Sequence, residues 1–137
     1  MRYFVDSNIF LRVLAKDNKE QFNSCIVFLK TLKENKIDAY TSTIVLAEIV
    51  FTLKSFYHFE KAEVISAFKS IINLRGLKIT DIYNYLKAED LYSNYPIRFI
   101  DALIASDDQI LDKKVTIVSY DKDFDKLPVL RKEPTDI

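Results

Sequence analysis

An α/β fold built on a short, mainly parallel sheet is what this chain encodes, and three features of its 137 residues carry that expectation. Short β-branched or aromatic runs alternate with segments of three-and-four apolar spacing, the pattern of strands joined by helical crossovers. Carboxylates stand directly after two of those runs, where open parallel sheets bind their ligands. No linker, repeat or low-complexity stretch divides the chain, so a single domain over residues 1–137 is expected. It has ample material for a core, with 49% apolar residues, ten Phe and eight Tyr.

Taken in order, Tyr3-Phe4-Val5 reads as a short buried strand, followed by Asp6-Ser7-Asn8 and a short apolar helix from Ile9 to Ala15. Phe22, Cys25, Ile26, Leu29 and Leu32 recur at helical spacing. Ala39-Tyr40-Thr41 is the second strand, and Ser42 or Thr43 caps a very apolar helix that reaches about Phe56. Val64, Ile65, Phe68, Ile71 and Ile72 mark another helix, with Gly76 as its C-cap. Leu77-Lys78-Ile79 is a third strand. Thr80 or Asp81 then caps a helix holding Ile82, Tyr85, Leu86 and Tyr92, which Pro96 breaks. A further helix runs from near Phe99 to about Lys113. Val115-Thr116-Ile117-Val118 is the strongest strand, and a charged loop from Asp121 to Lys126 leads past Pro128 to a last short strand at Val129-Leu130.

Residue counts exclude several chemistries. One Gly (Gly76) rules out P-loops and dinucleotide fingerprints, which need several glycines to let backbone approach phosphate. One Cys (Cys25) and one His (His58) leave no internal disulfide and too few ligands for a structural zinc site. His58 lies in an aromatic segment between two helices and reads as a linker residue. Lysine plus arginine (20) equals aspartate plus glutamate (20), so no global basic excess announces a nucleic-acid binder. Phosphate contacts must come from local groups: Lys30, Lys33 and Lys36, or Lys113 and Lys114, or Lys122, Lys126, Arg131 and Lys132. The last group stands nearest the acids. Asp6 comes too early for a signal peptide, and no apolar run approaches the roughly 20 residues of a membrane helix, so a cytoplasmic location is expected.

The acids divide by position. Asp6 follows a strand and precedes a helix, where a cap is the ordinary role, yet Ser7 and Asn8 supply more capping groups than one helix needs. Glu48 lies too deep in an apolar helix for a capping box; Thr52 and Ser55 share its narrow polar face. Such a carboxylate must be solvated, paired or bound to a cation. Asp101 opens Phe99-Ile100-Asp101-Ala102-Leu103-Ile104-Ala105, where a helix dipole favours an acid. Adjacent Arg98 is either its ion-pair partner or a phosphate contact. Asp121 directly follows the best strand; turn chemistry accounts for Asp123 and Asp125. Asp107 shares a face with Ile100, Leu103, Ile104 and Leu111, and this position and Asp108 have no assigned chemistry.

In combination these segments resemble the PIN-domain family, and most of all the compact VapC-type toxins of prokaryotic toxin–antitoxin pairs. The likeness rests on strand–Asp-Ser-Asn–helix, Glu48 in an apolar helix, Phe-Ile-Asp-Ala-Leu-Ile-Ala, and Ser119-Tyr120-Asp121-Lys122-Asp123-Phe124, and it spans Arg2 to about Leu130. The resemblance implies a three-layer α/β/α fold and a site of Asp6, Glu48, Asp101 and Asp121, with Asp123 in reserve and Ser7, Asn8 and Ser119 in support. It further implies metal-dependent cleavage of RNA to a 5′-phosphate and a 3′-hydroxyl, a small antitoxin as partner and a homodimer. Asp107-Asp108 depart from the family pattern, where small apolar residues are expected.

Two carboxylates about 4 Å apart repel by roughly 4 kcal/mol at an effective dielectric near 20, so a cluster must protonate or bind a cation. All-oxygen ligands suit Mg²⁺ or Mn²⁺, as one ion or two. Asp6 and Asp101 are the expected principal ligands, Glu48 and Asp121 the holders of a second ion or of metal-bound water. Arg98, Lys122 and Lys126 are the candidate substrate contacts. Two other readings compete. A haloacid-dehalogenase-like phosphatase needs a second Asp two residues after the first, where this chain has Asn8. A catalytically silent PIN-like domain that binds RNA or protein would have lost acids, and all four are present.

Overall fold

The computed structural model describes all 137 residues and contains a five-stranded sheet of order β3-β2-β1-β4-β5 in which every pairing is parallel. The strands are β1 (Arg2–Val5), β2 (Asp38–Thr41), β3 (Leu77–Ile79), β4 (Val115–Val118) and β5 (Arg131–Lys132). Seven helices join them: α1 (Ser7–Ala15), α2 (Lys19–Lys33), α3 (Thr43–Ser55), α4 (Lys61–Ile72), α5 (Tyr85–Asn94), α6 (Phe99–Ala105) and α7 (Asp108–Leu111).

Strand order explains the layers. The chain steps from β1 to β2 to β3 in one direction, then returns across the sheet to β4 and β5 on the far side of β1. Right-handed crossovers place helices of the outward steps on one face and those of the return on the other. Accordingly α1, α2, α3 and α4 pack on one another, whereas α6 packs on α5 and α7. This is the three-layer α/β/α architecture. Reversal between β1 and β4 creates a switch point, and a crevice opens outside the carboxyl ends of those two strands.

Central strands are buried on both faces, as an all-parallel sheet requires. Val5, Val115, Ile117 and Val118 are fully enclosed, and the ring of Phe4 meets that of Tyr40 edge-on, centroids 5.4 Å apart. Gly76 is not a helix C-cap. Helix α4 ends at Ile72 with Asn73 as its cap, and Gly76 lies in the following turn at φ +87°. A side chain there would meet the Leu32 carbonyl oxygen at 2.5 Å, so this turn demands glycine twice over.

Three other boundaries differ from expectation, and that of α3 agrees in position. Asp81 does not cap α5: its carboxylate crosses to α3 and accepts from the Thr43 backbone N–H at 2.8 Å and from the Thr43 hydroxyl at 2.6 Å, while Asn84 caps α5. Ser42 holds the N-cap position of α3 without a side-chain capping bond. The helix expected from Phe99 to Lys113 breaks at Ser106, and Asp107 starts α7 by accepting from the Gln109 N–H. The last strand forms at Arg131–Lys132, not at Val129-Leu130, and the charged loop winds into a 3-10 turn over Lys122–Lys126. His58 is exposed in the turn after α3.

Candidate functional site

Asp6 ends β1 at the switch point. Its backbone N–H continues the ladder to Val118 O at 3.1 Å, which fixes the side chain above the sheet, 2% exposed. One carboxylate oxygen accepts from Ser7 N–H at 2.8 Å, so the cap expected of Asp6 is real. The other accepts from the Ser119 hydroxyl at 2.7 Å and from the Asn8 amide at 3.2 Å. Asn8 also donates to Ser119 Oγ at 2.9 Å and accepts from Tyr120 N–H at 3.1 Å. Ser119 Oγ in turn accepts from Asp121 N–H at 2.9 Å. The Asp-Ser-Asn triplet and Ser119 therefore weld the end of β1 to the end of β4.

Around this weld the other acids gather. Glu48, from the middle of α3, accepts from the Ser7 hydroxyl through one oxygen and from Arg98 Nη1 at 3.0 Å through the other. Asp101, in the first turn of α6, is fully buried and accepts from Arg98 Nη2 at 3.0 Å and Nε at 3.3 Å. Asp121 begins the 3-10 turn, caps it by accepting from Asp123 N–H at 2.9 Å, and lies 3.8 Å from Arg98 Nη2. Ligand oxygens of Asp101, Asp121 and Asp123 fall within 4.8 Å of one another. Asp123, a reserve on sequence grounds, thus shares the cluster with the main acids.

Electrostatics follow from this crowding. Burial first, then the negative charges of Glu48 and Asp101, push the Asp6 carboxyl up to about 6, against the opposing hydrogen bonds of Ser119 and Ser7. Asp101 is also raised, by burial and by Asp121, although Arg98 works the other way. Burial disfavours the Arg98 charge, but Asp101 and Glu48 more than reverse that and hold it protonated.

Asp6, Ser7, Asn8, Glu48, Arg98 and Asp121 line a cleft of about 450 Å³ together with Leu11, Arg12, Gln21, Thr52 and Tyr120, while Asp101 lies buried behind Arg98. Arg12 and Thr52 were missed as cleft residues, although each lies four positions along its helix from a recognised one, Asn8 and Glu48. Gln21 gives no such signal, because its placement depends on how α2 packs on α1. Asp17 fixes Arg12 at 3.0 Å, and the Tyr57 hydroxyl accepts from Arg12 at 3.1 Å.

The cations sort differently from the sequence grouping. Arg98 is central. Lys126 pairs with Asp123 at 2.9 Å, and Arg131 is spent on Asp125 at 2.9 Å and on the Ser119 carbonyl at 2.8 Å. Lys36 and Lys114 hold Glu34 and Asp112 locally. Lys122 is exposed beside Asp121.

The PIN-domain family profile matches residues 3–130. The chain belongs to the PIN-domain family. Among solved structures it is similar to VapBC2 from Rickettsia felis bound to a DNA fragment from their promoter, with a TM-score of 0.69, 22% identity, and coverage of 97% of this chain and 98% of the other. No curated protein matches it in a sequence search. At that identity the structural likeness establishes a shared fold. As a PIN domain the chain has no place for the phosphatase reading, and Asn8 is engaged with Asp6 and Ser119 in any case.

Proposed function

We propose that this PIN domain is a divalent-metal-dependent endoribonuclease and the toxin of a toxin–antitoxin pair. One observation carries the catalytic reading: acids from four separate parts of the chain gather at one place, Glu48, Asp101 and Asp121 around the positively charged Arg98 guanidinium and Asp6 near enough to feel the charges of Glu48 and Asp101. The donor set fits a hard cation. It is made only of carboxylate oxygens, three of them within 4.8 Å of one another, and the guanidinium among them marks where positive charge is favoured.

Asp6 and Asp101 are the principal residues to hold Mg²⁺ or Mn²⁺, with Glu48, Asp121 and Asp123 as further ligands or as acceptors for its water; one ion or two fit this set. When bound, such an ion supplies an activated water and neutralises charge on phosphoryl oxygens. Ser119 and Asn8 orient Asp6 through the oxygen that Ser7 leaves free. Ser7 orients Glu48 by donating its hydroxyl. Donors from Ser7 and Ser119 to Asp6, and from Arg98 to Asp101 and Glu48, offset part of the repulsion among these carboxylates in the folded chain. Arg98, at the centre of the acids, and Lys122 and Lys126, on the 3-10 turn that also carries Asp123, are the contacts for the substrate's phosphates.

Manganese-dependent cleavage of mixed RNA by the wild type, compared with Asp101→Asn, tests this directly. Cleavage requiring Mn²⁺ and lost in the variant is the expected result; cleavage that survives rejects the assigned site. For the toxin reading, the relevant finding is the Rickettsia felis neighbour, solved as a VapBC2 complex. An antitoxin or a second copy of this chain has apolar surface to cover: Phe51, Phe68, Ile72 and Ile79 are exposed along a groove between α3 and α4. Growth arrest on expression, relieved by the product of a short adjacent reading frame, is the expected outcome. No helix is long and apolar enough to cross a membrane.

A further inference from the structure

The acid cluster is organised around a cation that the chain supplies itself. Arg98 donates to both oxygens of Asp101 at 3.0 and 3.3 Å and to Glu48 at 3.0 Å, and it lies 3.8 Å from Asp121. Building on the nuclease reading above, we propose that Arg98 is the resident counter-cation of this cluster. A divalent metal enters by displacing its guanidinium, so Arg98 sets the metal concentration at which the site loads.

Three observations support an exchange over a permanent ion pair. The oxygens of Asp101 that a metal would need are the ones Arg98 occupies, and Asp101 is fully buried, with both oxygens engaged by the same guanidinium. Two positive centres on one carboxylate repel, so occupancy of one disfavours the other. The Arg98 side chain is 53% exposed on its outer side. It holds the N-cap position of α6 without a side-chain capping bond, so it can swing into solvent without unpacking the core or uncapping the helix. Finally, Lys126 makes a comparable contact with Asp123, but both partners are about as exposed as Arg98 itself, and screening weakens that pair. Arg98 is the cation that reaches the buried acid.

The test is calorimetric titration of Mn²⁺ into the full chain as wild type, Arg98→Gln and Arg98→Lys, without RNA. Arg98→Gln is expected to bind Mn²⁺ about tenfold more tightly than wild type, on the scale of one charge-assisted contact. It should also melt lower without metal, and Arg98→Lys should fall between. A companion measurement needs no variant to fold. In ¹⁵N-labelled wild type, the Arg98 Nε–H signal should shift and lose exchange protection as Mg²⁺ is added. Arg98→Gln binding Mn²⁺ no more tightly than wild type, or an Nε–H signal unchanged at saturating Mg²⁺, overturns the exchange while leaving the metal site standing. Absence of Mn²⁺ binding in every form overturns both it and the nuclease reading beneath it.

Discussion

Asp6 and Asp107 are alike in every local respect: each is an aspartate 2% exposed, and each accepts from a backbone N–H as the N-cap of a helix. Their surroundings differ. One oxygen of Asp107 takes the Gln109 N–H at 2.9 Å and the other takes the Tyr40 hydroxyl at 2.6 Å, from a ring wholly inside the core. Burial, then the bond to Asp107, raises the Tyr40 hydroxyl above its ordinary value, so it remains a donor. Asp6 has comparable donors in Ser7 and Ser119, but it also feels the charges of Glu48 and Asp101 and lines an open cleft. A buried acid satisfied by neutral donors holds a fold together. A buried acid among other acids is pushed toward its proton, the property on which the metal proposal draws.

The largest effect should separate these two aspartates by chemistry. Asp101→Asn, which alters the cluster around Asp6, is expected to lower RNA cleavage about a thousandfold, the scale of losing a principal electrostatic stabiliser. Asp107→Asn should leave the cleavage rate of folded protein within about twofold, because the two regions share no partners. A cleavage assay at saturating Mn²⁺ gives both numbers, and similar losses in both would erase the distinction.

Stability should reverse the ranking. Asp107→Ala removes a cap and strands the buried Tyr40 hydroxyl, at a cost of about 2–4 kcal/mol by urea unfolding, and Mn²⁺ should not restore the difference.

The raised carboxyl of Asp6 gives a pH signature of comparable or smaller size. Its folded value of about 6 exceeds the ordinary 3.8, so the native chain holds this proton more tightly than the unfolded one. Stability from this group is full below the unfolded value and falls as pH rises through about 6. Asp6→Asn should therefore melt above wild type at pH 7.5 by up to about 3 kcal/mol in stability, with the advantage gone below about pH 4. Thermal melts across that range check it. A constant offset at all pH values would mean that Asp6 is an ordinary cap like Asp107.

At the small end, Lys122→Ala should raise the KM for RNA about threefold with little change in kcat, as expected of an exposed rim charge.

What the sequence made legible follows the range of the forces involved. Asp6 and Asp121 could be read because β-strand runs precede them, and a parallel sheet sends ligands to strand ends. Asp101 and Glu48 needed the whole motif pattern, since each alone has an adequate local explanation. Long-range choices of partner stayed hidden. Asp81 sits where a cap for α5 is natural, yet it turns to Thr43 because β2 and β3 run side by side and bring the two loops together. Asp107 looked misplaced on an apolar face until the break at Ser106 made it a cap and brought it to Tyr40, 67 residues away. For Arg98, sequence offered an ion pair or a phosphate contact, and only the fold brings Glu48 and Asp121 to the same guanidinium.

Anomalous diffraction from crystals soaked in Mn²⁺ tests the central claim most directly. The account predicts a manganese peak in the cleft, bonded to Asp101 and to at least one of Asp6, Glu48, Asp121 or Asp123, with the Arg98 guanidinium moved away. Manganese found only at outlying acids such as Asp38, with Arg98 still seated on Asp101, would contradict it.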